Sequence, residues 1–199
     1  MPIPVSKIGV LALAEPDHGG VFQYTQAVID ALVSVAPGKV VVLSPSPHHY
    51  KAEGAEFRHF ALPAASNNSR FLRLLSAVSG LRLGSFFSKL EMDGIGVILS
   101  PSPSLFPIWM DLPFVTTVHD FQERYFPAFF SFRERIRRRT MNRLIGRASR
   151  FLLCESSFVR GDLMRFAGVP DVKIRVVPAP PPKDLKPVDQ EAQERVRKK

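Results

Sequence analysis

Seven short apolar runs rich in Val, Ile, Leu and Phe punctuate the chain, at residues 7–14, 39–43, 55–60, 95–99, 113–118, 150–154 and 173–177. Several of the gaps between them show a helical period. A strand buried on both faces reads as a continuous apolar run, and parallel neighbours need a connection long enough to hold a helix. The alternation therefore predicts an α/β fold, a parallel sheet with helices on both faces. Between the first two runs Val21, Tyr24, Val28, Leu32 and Val35 recur at three- and four-residue steps, predicting an amphipathic helix over residues 21–35 that stops at Pro37-Gly38. Ser131 and Glu134 have capping-box spacing and open a helix expected to run to about Ala148. Another opens at Ser156, with Phe158, Leu163 and Phe166 as expected core contacts, and ends at Gly168 ahead of Pro170.

The chain has 199 residues, 45% hydrophobic and 23% charged, which excludes a wholly disordered or collagen-like polymer. At this length a single domain can bury enough surface to fold without staples. The one cysteine, Cys154, cannot form an internal disulfide and is expected to be a buried structural thiol, which fits a reducing cytoplasm. No apolar run approaches the roughly 20 residues that span a bilayer. Lys7, the apolar residues 8–13 and Ala12-Leu13-Ala14 imitate a short signal peptide. The stretch is at the lower length limit, and cleavage would remove the strand that the glycine motif below requires, so it is read as a first strand.

Five of the 18 prolines fall between Pro178 and Pro187, an extended spacer with neither period. From Lys183 onward 10 of 17 residues are charged, too thin an apolar stripe to fold alone. The expected organisation is a domain over residues 1–178, then over 179–199 a linker and the start of a charged helix belonging to something longer.

Gly19-Gly20 lies between the first strand and the first helix. Glycines there let backbone N–H groups approach a phosphate at the positive end of the helix, although a tight turn that binds nothing would use the same residues. Neither a dinucleotide fingerprint nor a Walker loop is present. His119-Asp120 follows the strand over residues 113–118, and the carboxyl ends of parallel strands are where open α/β sheets hold ligands. An imidazole there can serve a sugar hydroxyl or developing charge, or be an ordinary loop residue. His18, His48 and His49 lack helical metal-ligand spacing, so no metal site is proposed. No G-x-S-x-G elbow marks a serine hydrolase.

Of the net charge of +9, nearly all lies in residues 124–150, where nine arginines face only Glu134. Arg135, Arg139, Arg143 and Arg147 step by four and should form one cationic stripe, with Met141, Leu144, Ile145 and Ala148 on the other side. Residues 57–90 contain Arg58, Arg70, Arg73, Arg82 and Lys89 without an acid, interleaved with apolar residues. Basic helices of this kind suit an anionic membrane surface, or are a core-facing helix with a solvated side. The aromatics form no recognisable nucleic-acid motif.

Four segments together resemble the N-terminal domain of a GT-B glycosyltransferase of family 4: GGVFQYTQAVIDAL at 19–32, PFVTTVHDFQERYFPAFFSFRERIRRR at 113–139, SSFVRGDLMRFAGVP at 156–170 and KIRVVPAP at 173–180. The resemblance implies a Rossmann-like acceptor-side domain facing a second, donor-binding domain across a cleft. It implies a retaining enzyme, of hexosyltransferase type, that moves a sugar from a nucleotide-sugar donor to a glycan or lipid-linked acceptor without cofactor or metal ion. Polysaccharide biosynthesis at the inner face of the cytoplasmic membrane is the implied setting. Gly19 and Gly20 match the loop that approaches the donor diphosphate, His119 the histidine beside the transferred sugar, and Asp120 a neighbouring acceptor or sugar contact. Phe22 stands where a further glycine is common. The alternative is a non-catalytic basic module that docks on anionic lipid or on a partner protein.

Overall fold

The computed structural model describes residues 7–61 and 92–179. Strands β1 (Lys7–Leu11), β2 (Val40–Ser44), β3 (Glu56–His59), β4 (Ile95–Ser100), β5 (Phe114–Thr117), β6 (Phe151–Cys154) and β7 (Ile174–Val176) form one sheet. All pairings are parallel, in the order β3-β2-β1-β4-β5-β6-β7. All seven apolar runs became strands, and the arrangement is the expected Rossmann-like sheet. From β1 the chain winds outward in one direction to β3, then returns to β4 and winds outward in the other. The crevice at the carboxyl ends of β1 and β4 is thus the topological switch point where such sheets place ligands.

The sheet separates two cores. Val10, Ala12, Val40 and Val42 meet helix α1 (Gly20–Val35) through Ile29, with Tyr50 closing the cluster. On the opposite face Leu11, Val41, Leu43, Ile98, Phe114 and Leu152 pack with Ile145 of α3 (Phe132–Ala148) and Leu163. Adjacent residues of β1 and β2 therefore bury on opposite sides, as the pleat requires. At Gly9 packing is tight, because a Cβ there would stand 2.7 Å from Ile98 Cδ1 and that side chain would have to shift. Between β5 and α3 lies the single turn α2 (Gln122–Tyr125), and after β6 comes α4 (Ser157–Asp162), which continues as a π-helical turn over Leu163–Ala167. Gly168 ends that turn in the left-handed region, at φ +68°.

Four expectations need correction. Val35 is 78% exposed, and the buried stripe of α1 runs through Tyr24, Thr25 and Ile29 instead. Phe158 is 65% exposed on Tyr125, while Val159 takes the core place beside Leu163. Ala148 is exposed, and Asn142 and Gly146 join Leu144 and Ile145 inside. The capping box of α3 is half formed. Ser131 accepts from Glu134 N at 3.2 Å, but the Glu134 carboxylate is taken by Arg137 and Arg138 rather than returning to the cap. Cys154 is buried as expected, and burial raises its thiol pKa. The basic segment from residue 62 through Lys89 and the linker from residue 180 onward lie outside the described residues.

Candidate functional site at the carboxyl edge of the sheet

The loop after β1 is held in place before it reaches the glycines. The Tyr50 hydroxyl donates to Ala14 O at 2.5 Å, and burial pushes that phenol up to about 12. Phe22, in the first turn of α1, rests its ring 4.9 Å from Tyr50, so the residue that replaces a common glycine is accounted for by core packing. A short 3-10 turn over Pro16–His18 then leads to Gly19.

The two glycines differ. Gly19 has φ +54° and ψ −118°, a backbone conformation that L residues reach only with strain. Gly20 opens α1 without a positive φ, and no atom stands within 4 Å of a Cβ placed on it. Neither packing nor backbone geometry demands glycine at residue 20. The first turn of α1 has no side-chain cap and no acidic residue, so its leading N–H groups and the positive helix end are available to an anion.

One helical turn further on, Tyr24 reaches the neighbouring strand ends. Its hydroxyl shares a 3.3 Å hydrogen bond with Thr117 Oγ1, and its ring meets the His119 ring edge-on at 4.9 Å. Burial is the main cause that raises the Tyr24 pKa. By helix rise, Gly20 and Tyr24 are about 6 Å apart along the axis, so the glycine turn and His119 border one edge.

His119 is fixed from three strands. Its Nε2 donates to Pro101 O at 2.9 Å, just past β4, and its Nδ1 stands 3.0 Å from Oε1 of Glu155, just past β6. The Pro101 loop is itself tied down, because Ser100 Oγ donates to Ser102 O and Thr116 Oγ1 lies 3.2 Å from Ser100 O. Asp120 turns elsewhere: its Oδ1 accepts from Gln122 N at 3.2 Å and sits 3.6 Å from Arg138 Nη1. Behind it Glu123, only 1% exposed, has Arg138 at 3.8 Å as its nearest cation among the described residues.

The stripe on α3 is less uniform than its spacing suggests. Arg139, Arg143 and Arg147 are exposed, and no acid pairs with them among the described residues. Arg135 is half-buried with its guanidinium 5.8 Å from the Phe132 ring centre. The side chain that the spacing left out, Arg138, is the one most engaged, with Glu134, Asp120, Glu123 and the Phe130 ring. Burial, then repulsion from Arg139, lowers the Arg124 pKa, which marks this region as cationic. Among the described residues no group of three or more His, Cys, Asp and Glu could hold a metal ion, and no helix is long and apolar enough to cross a membrane.

Sequence reasoning missed Glu155 and the Pro101 carbonyl. The signal for Glu155 was the one used for His119, its position immediately after a parallel strand.

Residues 18–180 match the model of the family described as Glycosyltransferase Family 4. The chain belongs to glycosyltransferase family 4. The match takes in both glycines, His119, Asp120 and the arginine stripe, and it bears out the resemblance carried by the four segments. Among solved structures, this family 4 chain is similar to HepE of Anabaena, determined in complex with UDP, at 13% identity, 87% coverage of this chain, 44% of that chain and TM-score 0.48. It is similar to UDP-N-acetylglucosamine 2-epimerase from Rickettsia bellii at 12% identity, with coverages of 85% and 44% and TM-score 0.48. For a glycosyltransferase from Rickettsia africae the identity is 12%, the coverages 88% and 43%, and the TM-score 0.42. The chain spans under half the length of each of these structures. No curated protein matches it.

Proposed function

We propose that this family 4 domain forms one wall of a retaining glycosyltransferase of hexosyltransferase type that moves a sugar from a nucleotide-sugar donor to a glycan or lipid-linked acceptor. A second domain supplies most of the donor contacts, and the transfer needs neither cofactor nor metal ion. The observation that carries the reading is Gly20. It is a glycine the fold does not require, at an uncapped helix start, in open space one helical turn from Tyr24, whose ring meets His119. Close approach of a diphosphate to the first N–H groups of α1 gives that glycine a reason. Stabilising the departing diphosphate is then the electrostatic part of the chemistry, with His119 beside the transferred sugar.

The test is transfer by the full-length protein from a panel of nucleotide sugars, beside residues 1–199 alone. We expect transfer from at least one donor by the full-length protein and none by residues 1–199. No transfer from any donor by the full-length protein would overturn the enzyme reading in favour of a binding module. Transfer by residues 1–199 alone would overturn the need for a second domain.

A second observation bears on where the acceptor lies. Phe129, 83% exposed, and the exposed Phe132 and Ile136 flank Arg139, Arg143 and Arg147 on α3 and the turn before it. We propose that this aromatic and cationic surface rests on anionic lipid, with the protein peripheral at the inner face of the cytoplasmic membrane. Each near-surface arginine contributes about 1 kcal/mol, screened beyond about 8 Å at physiological salt. Co-sedimentation should favour anionic over neutral vesicles, weaken with salt and fall when Arg135, Arg139, Arg143 and Arg147 are all changed to Gln. Equal binding to both vesicle types, or by both proteins, would reduce the stripe to a solvated helix face.

A further inference from the structure

We propose that Glu155 is a positioning residue that holds the His119 ring in a doubly donating state, so that His119 serves its ligand as an N–H donor and never as a base. The proposal rests on the reading that His119 faces the transferred sugar.

Hydrogen-bond chemistry carries the argument. A backbone carbonyl only accepts, so the 2.9 Å contact with Pro101 O places a hydrogen on Nε2. An ionised carboxylate only accepts, so the 3.0 Å contact between Nδ1 and Glu155 Oε1 needs a hydrogen as well. A neutral imidazole has one N–H. Two acceptors, one at each ring nitrogen, are both served only by a ring that carries a hydrogen on each nitrogen.

Among the described residues the surroundings supply no competing acceptor or base. Tyr24 from α1 presents its ring, with its hydroxyl on Thr117, and burial keeps that phenol protonated. Cys154, before Glu155, is a buried thiol whose Sγ faces the carbonyls of Ser156 and Arg175. Asp120, next to His119, is taken by Gln122 N and Arg138.

The consequence for the site is directional. With both nitrogens carrying hydrogen, the ring has no lone pair with which to remove a proton from an acceptor hydroxyl. It can offer Nε2–H to a sugar or phosphate oxygen that takes the place of the Pro101 carbonyl. Glu155 meanwhile keeps Nδ1–H, holds the ring plane and balances its charge. No covalent bond changes and no proton leaves the pair.

The experiment is nitrogen NMR of the full-length protein labelled at histidine, at neutral pH, with the His119 signals assigned from a His119→Gln variant. We expect both native ring nitrogens to give N–H-type shifts. Glu155→Gln, whose amide can donate to Nδ1, should move Nδ1 to the lone-pair type while the protein stays folded. In the same variant kcat should fall roughly tenfold with KM for the donor nearly unchanged, the lower end of what partners that orient a functional histidine contribute. Glu155→Asp should recover part of that loss. A native Nδ1 of lone-pair type, or shifts unmoved by Glu155→Gln, would overturn the proposal. If Glu155→Gln does not fold, the native spectrum alone decides. If instead His119→Gln leaves kcat unchanged, the sugar-facing reading of His119 fails, whatever the ring spectrum shows.

Discussion

The glycine turn and His119 border the same edge of the sheet, yet they stand ready for a ligand in opposite ways. At Gly20 the leading N–H groups of α1 have no side-chain partner and the space in front is open. At His119 both ring nitrogens are already engaged, by Glu155 and Pro101. A ligand reaching the turn meets no side-chain partner to replace, whereas one reaching the ring must replace a protein carbonyl with a group that accepts equally well. We therefore expect the turn to supply general affinity for an anion and the histidine to select what is attached to it.

The largest effect should follow from removing the ring. On the proposed function, His119→Ala in the full-length protein should lower kcat about 100-fold or more, the size typical of a positioned polar group. It should also destabilise by about 1–3 kcal/mol, because Glu155 and the Pro101 carbonyl lose their partner. Steady-state kinetics and urea unfolding of the same samples check both. Lost stability with an unchanged kcat would make His119 a tie between strand ends and nothing more.

Next in size is Gly19→Ala. The backbone at φ +54° and ψ −118° should cost roughly 1–3 kcal/mol once a Cβ is present. Denaturant midpoints measure it, and an undisturbed midpoint would mean that the turn can relax.

Gly20→Ala should have effects of opposite sign. Alanine is the better helix former and meets no neighbour, so stability should rise by about 0.5–1 kcal/mol. Donor affinity should nevertheless weaken about tenfold, near 1.4 kcal/mol. Calorimetric titration with the nucleotide sugar decides, and equal affinity would remove the reason offered for this glycine.

The smallest expected effect lies away from the edge. Hydrogen bonds from Arg137, then from Arg138, hold the Glu134 carboxyl at about 2. Its folded value is below the unfolded one, so its contribution is complete above the ordinary carboxylate range and fades as pH falls toward 2. The pair is near the surface, so the loss should stay under about 1 kcal/mol. Urea unfolding at pH 7 and pH 3 should show a smaller acid loss in Glu134→Gln than in the native protein. An acid loss untouched by this change would point to Glu56, whose carboxyl Arg58 and then Lys7 also hold at about 2.

Much of the fold was legible because its cues are local. Apolar runs marked the strands, Gly38 after Pro37 marked the end of α1, and Ser131 marked the start of α3. Phe158 is exposed because it stands off the row that Val159 and Leu163 share four residues apart, whereas Val35 lies at the far end of α1. A periodic pattern states which residues share a helix face, and only the sheet beneath states how far along the helix that face is covered. Gly19, Gly20 and His119 could be singled out from their places at element ends. Glu155 held an equivalent place, but one glutamate after an apolar run gives no sign of facing a histidine 36 residues earlier.

The sequence by itself determined which segments are strands, where the first helix begins, and that a glycine pair opens that helix and a histidine follows a strand, since backbone sterics and residue periodicity act over a few residues. Tertiary structure alone decided that β1 lies between β2 and β4, which brings those strand ends together. It also decided that the ring of His119 is held between Pro101, 18 residues away, and Glu155, and that Arg138 rather than the exposed stripe ties Asp120 and Glu123 to α3. Those pairings join residues that only the closed sheet places side by side, and hydrogen bonds act over about 3 Å.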